Sequence, residues 1–361
     1  MKKIITIVGA RPQFVKASQL SKAFLSHDNL NEIILHTGQH YDHQMSEIFF
    51  QELGIQSPSY NLEINNLDHG EMTGKMMIEI EKILIKDQPD AVVVFGDTNS
   101  TLAGALAAAK LNIPVAHIES GIRSFNKSMP EEINRIVTDS ISNWLFAPTK
   151  IGEHNLIMEG HSTDKIFNYG DVMYDVSLSF ASKNPSDSIL DYLDNDFLLV
   201  TIHRPENTEN DLRLKNIADS LIEIASKFKI IFPIHPRTIK AFERINMFDK
   251  LSKIIDIIDP ISYVDMLQMQ KKARLIITDS GGMQKEAYFL KTPCVTLRDE
   301  TEWVELIEAG WNKLIKTSSK KEKIVSEILG SINKKGLDYD YYGDGKSSYK
   351  IADQIMGDLN C

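Results

Sequence analysis

Four carboxylates occupy positions at which acid and base chemistry is possible. Asp97 and Glu119 each follow the end of a short apolar run, and Glu131 and Glu132 come directly after Pro130. Asp97 can instead cap the helix that starts next, and Pro130-Glu131 is typical of a helix start with acids in its first turn. Glu119 has no comparable structural explanation. Carboxylates at the strand ends of one sheet can share acid and base work when their environments separate their pKa values.

Two cations stand at the start of the first predicted helix, where Arg11 and Lys16 flank Pro12. An arginine near a helix N-terminus is unfavourable for the helix dipole, so a bound phosphate explains Arg11 better than a surface role does. The whole chain carries a net charge of −10, which argues against a broad nucleic-acid surface. A small phosphorylated ligand needs only a few cations and is compatible with this charge.

A turn with two glycines, Asp279-Ser280-Gly281-Gly282, separates an apolar run from a helical one. Its glycines permit close backbone approach, and the free amides of a helix start can bind a diphosphate. The same residues are equally typical of a simple capped turn. Glu286, about one turn further on, either accepts hydrogen bonds from ribose hydroxyls or lies on the solvated surface.

Three histidines near predicted strand ends, His117, His203 and His235, have two interpretations each. Each is either a phosphate contact and proton donor or a buried histidine with satisfied hydrogen bonds. No H-E-x-x-H motif or Cys/His cluster occurs, and Cys294 and Cys361 give no disulfide framework, so we predict no metal. The sequence also lacks G-x-G-x-x-G, P-loop and G-x-S-x-G motifs, which disfavours a dehydrogenase, a P-loop ATPase and a serine hydrolase.

The elements that position these residues alternate along the whole chain. Segments with helical spacing separate short apolar runs, which are typical of strands buried on both faces, and this predicts α/β domains with parallel sheets. Ligands bind such sheets beyond the carboxyl ends of the strands, where the polar residues above lie. The predicted strands are Lys3–Gly9, Glu32–Thr37, Ala91–Gly96, Val115–Ile118, Leu198–Ile202, Lys229–Ile234, Ile254–Ile258, Leu275–Thr278 and Cys294–Leu297, and the clearest helices are Thr98–Lys110, Leu212–Lys227 and Gly282–Leu290.

The length of 361 residues favours two domains. The alternation pauses between Asp171 and Asp196, where Ser, Asn, Pro and Asp accumulate, and we place the boundary there. The predicted domains are residues 1–172 and 173–345, followed by a C-terminal helix over 346–361. No run of about 18 apolar residues occurs, so a membrane span is not expected, and the cysteine usage fits the reducing cytosol.

A series of short motifs resembles the UDP-N-acetylglucosamine 2-epimerase family. They fall in family order from residue 3 to about 310, and as a set they are highly specific. The motifs are Gly9-Ala10-Arg11-Pro12-Gln13-Phe14-Val15-Lys16, Thr37-Gly38-Gln39-His40, Gly96-Asp97-Thr98, His117-Ile118-Glu119-Ser120-Gly121-Ile122-Arg123, Pro130-Glu131-Glu132-Ile133-Asn134-Arg135, Thr201-Ile202-His203-Arg204-Pro205-Glu206-Asn207, Thr278-Asp279-Ser280-Gly281-Gly282-Met283-Gln284-Lys285-Glu286-Ala287 and Leu297-Arg298-Asp299-Glu300-Thr301-Glu302.

The resemblance implies a GT-B-like fold of two Rossmann-like domains, with a ligand cleft between them and the C-terminal helix packed back on the first. It also implies a cytoplasmic homodimer that serves surface polysaccharide synthesis. A UDP-sugar is the implied partner, and no cofactor, nucleic acid or membrane is expected.

The implied reaction is reversible inversion at C2 of UDP-GlcNAc to give UDP-ManNAc. UDP leaves by anti elimination, a 2-acetamidoglucal stays in the site, and UDP adds back. Asp97, Glu119 and Glu131 match the family's catalytic carboxylates, and His203 matches a position at or beside the diphosphate, where we expect it to serve catalysis. The positions that match substrate contacts are Arg11, Lys16, Gln39, Arg135, Ser280, Gly281, Gly282 and Glu286, the last of them at the ribose.

Three departures from the commonest family pattern leave the exact sugar and allosteric activation open. Ala10 and Gln13 replace Thr and Glu, and Trp303 stands where many members carry an arginine that contacts ligand. His40-Tyr41-Asp42 replaces a region that helps some bacterial members to bind an allosteric UDP-GlcNAc. The alternatives are a 2-epimerase of UDP-2,3-diacetamido-2,3-dideoxyglucuronate, a hydrolysing epimerase, a GT-B glycosyltransferase and a non-catalytic sugar-nucleotide sensor.

Overall fold

The computed structural model describes residues 1–39, 50 and 53–360, so His40-Tyr41-Asp42 and Cys361 lie outside the described residues. The strands are β1 (Lys2–Val8), β2 (Leu30–His36), β3 (Tyr60–Asn61), β4 (Ala91–Phe95), β5 (Val115–Ile118), β6 (Trp144–Phe146), β7 (Ile166–Phe167), β8 (Leu198–Thr201), β9 (Ile230–Pro233), β10 (Asp256–Ile258), β11 (Leu275–Thr278), β12 (Cys294–Thr296) and β13 (Asn312–Leu314).

Helices separate most of these strands. They are α1 (Arg11–Phe24), α2 (His69–Asp87), α3 (Asn99–Lys110), α4 (Pro130–Ile141), α5 (Lys150–Met158), α6 (Val172–Phe180), α7 (Leu190–Leu193), α8 (Pro205–Thr208), α9 (Asp211–Ala225), α10 (Pro236–Arg244), α11 (Phe248–Ser252), α12 (Tyr263–Lys272), α13 (Gly281–Phe289), α14 (Val304–Glu308), α15 (Lys321–Leu329) and α16 (Ser347–Asn360).

The strands form a seven-stranded sheet with the order β3-β2-β1-β4-β5-β6-β7 and a six-stranded sheet with the order β10-β9-β8-β11-β12-β13. Every strand pair within the described residues is parallel. In the first sheet the strand order reverses between β1 and β4, and in the second between β8 and β11. These are the switch points at which parallel sheets leave a crevice beyond their strand ends.

The central strands are buried because helices cover the sheets. Ile5 and Ile7 of β1 are fully buried and pack with Val92 and Val94 of β4 against apolar residues of α2 and α3. Burying such a side chain stabilises the fold by about 1.5–3 kcal/mol. A separate apolar cluster joins β8, β9 and β11 to α9 and α15 in the second sheet.

The chain divides into two compact units, Met1–Val176 together with Asp340–Cys361, and Ser177–Tyr339. The first unit includes α16, which packs on α1. The start of α16 is held by the carboxylate of Asp175, which accepts hydrogen bonds from the amides of Ser347 and Ser348 at 3.1 and 2.7 Å. A carboxylate at this position is favourable because it meets the positive end of the helix dipole.

The predicted α/β class with parallel sheets is confirmed, and the predicted strands agree with the observed ones to within about two residues. The sequence analysis missed β3, β6, β7 and β13, which are only two or three residues long and therefore too short to show a periodic pattern. Among the described residues, no helix combines the length and the apolar character that a membrane span requires.

Gly170 and Gly160 provide a matched test of the packing at the start of α16. Both have left-handed backbones, with φ of 96° and 87°. A Cβ on Gly170 would lie 2.4 Å from the carbonyl oxygen of Tyr342, whereas one on Gly160 would meet nothing within 4 Å. We expect Gly160→Ala to lower the free energy of unfolding by about 1–2 kcal/mol, from backbone strain alone. Gly170→Ala should lower it by about 1–3 kcal/mol more, because it also overpacks. Equal losses in urea unfolding would contradict this account.

Candidate active site

Asp97 lies in the turn after β4 and forms an ion pair with Arg135 of α4. The turn begins at Gly96, whose φ of 62° is left-handed. The side-chain amide of Asn134 donates to the carbonyl oxygen of Asp97 at 2.9 Å, so α4 holds both the backbone and the carboxylate of this residue. Thr98, not Asp97, caps α3, because its hydroxyl accepts from the amide of Thr101. The carboxylate of Asp97 is therefore not occupied by helix capping.

Glu119 lies in the turn after β5 and forms an ion pair with Lys16 of α1. Its φ of 74° is unusual for a residue with a side chain, and its amide is fixed by a 3.1 Å hydrogen bond to the carbonyl oxygen of Phe146. A Cβ on Gly96 would lie 3.3 Å from Glu119 Oε2 and 3.8 Å from Lys16 Nζ. The turns that carry the two carboxylates are thus in contact, as the parallel order of β4 and β5 predicts.

The pKa of Asp97 is raised above its usual value. Burial is the largest cause, the cation of Arg135 opposes it, and the negative charge of Glu119 adds to it. Yet 35% of the surface of this side chain stays exposed, so the carboxylate is accessible to a ligand. A carboxylate of raised pKa that a ligand can reach is suited to proton transfer.

Arg135 connects Asp97 to a buried acid, Glu132. Arg135 Nε donates to Glu132 Oε2 at 2.9 Å. The carboxylate of Glu132 also accepts from the amides of Ser124 and Phe125 at 3.0 and 2.8 Å, so it holds the loop before α4. Burial acts to raise the pKa of Glu132, but the Ser124 amide and Arg135 outweigh it and lower that pKa. Glu131, the predicted catalytic neighbour, is half-buried in the first turn of the same helix.

Two glutamines fix the turn after β1 and the region after β2. Gln13 Oε1 accepts from the amide of Gly9 at 2.7 Å, and its Nε2 donates to the carbonyl oxygen of Phe95 at 2.7 Å, which ties the turns after β1 and β4 together. Gln39 Oε1 accepts from the amide and hydroxyl of Ser100 at 3.0 and 2.7 Å. Arg11 is the partly exposed first residue of α1.

In the second unit, Asp279 organises the turn that carries His203. The fully buried carboxylate of Asp279 accepts from the amides of His203 and Arg204, each at 3.0 Å, and from Asn207 Nδ2 at 3.0 Å. About half of the His203 side chain is exposed, at 51%. The interpretation of His203 as a buried histidine is therefore wrong, and its ring is open to a ligand.

The start of α13 combines a capped turn with open backbone. The hydroxyl of Ser280 accepts from the amide of Met283, as in an ordinary N-cap. A Cβ on Gly281 would lie 3.7 Å from Arg204 Nη2 and 3.9 Å from Trp303 Nε1, while one on Gly282 would meet nothing within 4 Å. A guanidinium and an indole N–H therefore lie close to the first residue of this helix, and a helix N-terminus with such neighbours suits an anion.

The remaining predicted positions have protein partners. The buried carboxylate of Glu286 accepts from the hydroxyl of Tyr263 at 3.0 Å and from Gln270 Nε2 at 2.7 Å. His117 is fully buried with both ring nitrogens in contact with oxygens, whereas the exposed His235 accepts from the amide of Arg237 at 3.2 Å and caps α10. Among the described residues, no group of three or more His, Cys, Asp or Glu side chains is arranged to hold a metal ion.

Sequence reasoning singled out Glu132 and the turn of Asp279, but it missed that these two acids and Asp139 are buried and hold the site turns. Each lies within a motif or helix that was noticed, but an acid's internal partners are not visible in a sequence. The buried acid Asp279 comes directly after β11, as Asp97 follows β4 by one residue, and this shared placement was the available signal.

Comparison with known proteins gives concordant results. The family model described as UDP-N-acetylglucosamine 2-epimerase matches residues 22–356. A UDP-N-acetylglucosamine 2-epimerase homolog from Methanococcus maripaludis is 51% identical over 98% of this chain and 99% of its own. The UDP-2,3-diacetamido-2,3-dideoxy-D-glucuronate 2-epimerase of Pseudomonas aeruginosa is 49% identical over 98% of this chain and 99% of its own.

A solved structure is also similar to this chain in both fold and sequence. The crystal structure of the UDP-GlcNAc 2-epimerase of Methanocaldococcus jannaschii, in complex with UDP-GlcNAc and UDP, has a TM-score of 0.90 and 46% identity to this chain. The match covers 99% of this chain and 100% of that one. The two parallel-sheet units described above correspond to the GT-B-like fold of these neighbours.

The cation of Arg135 should control the proton affinity of Asp97. Because Arg135 lowers the pKa of Asp97 against the effect of burial, Arg135→Met should raise that pKa further. The measurement is a carbon-13 NMR titration of the aspartate carboxyls, with the Asp97 signal assigned through Asp97→Asn. Arg213→Met, which removes the partner of Asp299 in the second unit, is the control and should leave Asp97 unchanged. An Asp97 pKa that stays constant or falls in Arg135→Met would refute this role.

Proposed function

Because this chain belongs to the UDP-N-acetylglucosamine 2-epimerase family, we propose that it is a non-hydrolysing epimerase that interconverts UDP-GlcNAc and UDP-ManNAc. The observation that carries the proposal is the meeting of two turns, one with Asp97 paired to Arg135 and one with Glu119 paired to Lys16. Inversion at C2 requires that a proton leave one face of the sugar and return to the other. Two carboxylates on separate turns meet that requirement.

The proposed reaction has two balanced steps. A carboxylate accepts the C2 proton while the bond between C1 and the diphosphate oxygen breaks, so UDP leaves with the bonding electrons and a C1=C2 double bond remains in a 2-acetamidoglucal. UDP then adds back at C1, and C2 receives a proton on the opposite face. The C2 proton is weakly acidic, so bond breaking at C1 leads and the ring gains positive charge, which the carboxylates Asp97, Glu119 and Glu131 stabilise.

The cations beside the carboxylates have a second role in this proposal. Lys16 and Arg135 neutralise Glu119 and Asp97 in the structure, and they counterbalance the diphosphate of a bound substrate as well. A carboxylate whose pKa is raised holds a proton more readily at neutral pH, as the return step needs. Arg11, at the start of α1, contributes a further positive charge to the diphosphate.

The second unit binds the nucleotide in this proposal. The start of α13, at Ser280, Gly281 and Gly282, receives the diphosphate, since it lies beside Arg204 and Trp303. His203 is exposed and donates to the diphosphate as UDP departs. Glu286, whose position matches the ribose contact of the family, accepts from the ribose hydroxyls in this proposal. In the first unit, Gln39 contributes to the sugar site.

A second substrate has a specific observation in its favour. The relative from Pseudomonas aeruginosa that is 49% identical is named a UDP-2,3-diacetamido-2,3-dideoxy-D-glucuronate 2-epimerase, and it matches this chain almost as well as the Methanococcus relative does. The same elimination chemistry serves both sugars, so the substrate depends on what surrounds C3 and C5. On family membership alone, we also propose that the protein is a cytoplasmic homodimer and that it serves surface polysaccharide synthesis.

The test is to incubate the purified protein with UDP-GlcNAc alone, without any sugar acceptor, and to separate the products by anion-exchange chromatography. We expect UDP-ManNAc to accumulate to a stable mixture with UDP-GlcNAc. Free ManNAc with an equal amount of UDP would instead establish a hydrolysing epimerase. In a parallel incubation, turnover of UDP-2,3-diacetamido-2,3-dideoxyglucuronate but not of UDP-GlcNAc would establish the second substrate. If neither UDP-sugar were turned over without an acceptor, the proposed epimerase would be refuted.

Gly282 tests the proposed diphosphate position. Its backbone is not left-handed and a Cβ there meets no atom, so Gly282→Ala should fold normally and gain up to about 1 kcal/mol in stability. A methyl group at this exposed position should obstruct the diphosphate and raise the Kd for UDP by about tenfold or more. Gly357→Ala in α16 also meets no atom and is the control, with an unchanged Kd in calorimetry. An unchanged Kd for Gly282→Ala would remove this turn from the nucleotide site.

A further inference from the structure

A buried carboxylate lies behind the two turns that carry Asp97 and Glu119. Asp139, near the end of α4, is almost fully buried, with 1% of its surface exposed. Its Oδ1 lies 2.6 Å from Nδ1 of His117, and its Oδ2 accepts from the amide of Gly121 at 3.1 Å. One side chain therefore contacts both β5 and the turn that follows it.

His117 links Asp139 to the turn that carries Asp97. Its second ring nitrogen, Nε2, lies 2.7 Å from the carbonyl oxygen of Gly96, the residue directly before Asp97. Both neighbours of the ring, a carboxylate and a carbonyl, are acceptors only. Each nitrogen of His117 must therefore donate if both hydrogen bonds are made, and the ring then carries a positive charge.

The hydrogen bond between Asp139 and the Gly121 amide fixes the turn that carries Glu119. Gly121 has a φ of 77°, and a Cβ at this position would lie 2.2 Å from the carbonyl oxygen of Gly152. Two residues earlier, Glu119 is also left-handed. A backbone of this kind persists only where its surroundings fix it, and the hydrogen bond that the Gly121 amide donates to Asp139 is one of the contacts that do so.

The charges behind the turns balance within the network. Arg123, which is 5% exposed, donates from Nη2 to Asp139 Oδ2 at 2.6 Å and from Nε to Glu159 at 2.8 Å. Burial alone would raise the pKa of Asp139, but His117 and Arg123 outweigh it and hold that pKa below its usual value. With both nitrogens of His117 protonated, two positive and two negative groups sum to zero. Such a network is sensitive to the loss of any member.

We propose that Asp139 is a positioning residue that holds the turns of Asp97 and Glu119 in place, directly through Gly121 and indirectly through a His117 ring that donates from both nitrogens. Asp139 and His117 are buried and do not reach a ligand, so they act through Gly96 and Gly121. The effect on turnover rests on the proposed function, whereas the hydrogen bonding of His117 does not.

Asp139→Asn changes one atom and separates a positioning role from a structural one. The side chain of Asn is uncharged and has one accepting oxygen, so it cannot accept from the Gly121 amide, Arg123 and His117 together. With its oxygen towards Gly121 and Arg123, its NH2 faces Nδ1 of His117, which must lose its proton, and the charge balance of the network is lost. We expect kcat to fall about a hundredfold, because small displacements of catalytic groups have effects of this size, while the Kd for UDP stays within about threefold. Asp164→Asn, at an exposed aspartate in the first unit, is the control with unchanged kcat. A loss of thermal stability with unchanged kcat would overturn the positioning role.

Nitrogen-15 NMR of histidine-labelled protein decides the protonation of His117 in the wild type, without any substrate. At about pH 7.5 an ordinary exposed histidine is mostly neutral and shows one nitrogen without a proton. We expect the His117 ring to show protons on both nitrogens, and Asp139→Asn to remove one of them. The His117 signal is assigned by its disappearance in His117→Gln, and it should remain in the control His154→Gln, which changes an exposed histidine. If His117→Gln does not fold, the signal is assigned from the contacts of the ring proton with β4 and β5.

Negative results of the two measurements, the NMR of His117 and the assay of turnover, contradict different claims. A wild-type His117 with one unprotonated nitrogen overturns the inference whatever the protein's activity is. An absence of turnover with both UDP-sugars refutes the proposed function, and the NMR result then still decides the state of His117. A doubly protonated His117 combined with normal kcat in Asp139→Asn would overturn the positioning role alone.

Discussion

Two carboxylates of like charge, Asp97 and Glu119, lie on turns that are in contact at the carboxyl ends of neighbouring strands, β4 and β5. The surrounding structure holds both carboxylates in this position. Asp97 and Glu119 would repel each other in a partly buried site, where the effective dielectric constant is lower than in water. Arg135 from α4 and Lys16 from α1 each neutralise one of them. The two cations come from helices that follow β1 and β5, the strands on either side of β4 in the same sheet. The parallel strand order is therefore what brings the four charges together.

The same constraint explains the unusual backbone at the site. Gly96 and Glu119 both have left-handed conformations, and a side chain at position 96 would press on the Glu119 carboxylate. Glycine is therefore favoured at position 96, while Glu119 adopts a strained conformation that Phe146 and the residues behind it hold. The second unit uses a related device, because the buried Asp279 organises the backbone of the turn that presents His203.

The sequence was sufficient to predict the parallel sheets and the placement of Asp97, Glu119 and His203 at strand ends, because buried strands and strand-end polar residues leave local patterns. The partners of these residues were not predictable in the same way. Lys16 and Arg135 were expected to contact ligand, and only the fold reveals that each is already paired with a carboxylate. The roles of Glu132 and Asp139 depend on contacts across the tertiary structure, which leave no local signal. The two-residue strands β3 and β7 were missed because their length allows no periodicity.

The central claim is that Asp97 and Glu119 transfer the proton at C2, and proton NMR of UDP-GlcNAc in deuterated water tests it most directly. The account predicts that the wild-type protein replaces the C2 proton with deuterium as UDP-ManNAc forms. Asp97→Asn and Glu119→Gln should exchange at least about a hundredfold more slowly while UDP still binds. Formation of UDP-ManNAc with the C2 proton retained, or exchange at the wild-type rate in either variant, would contradict the account.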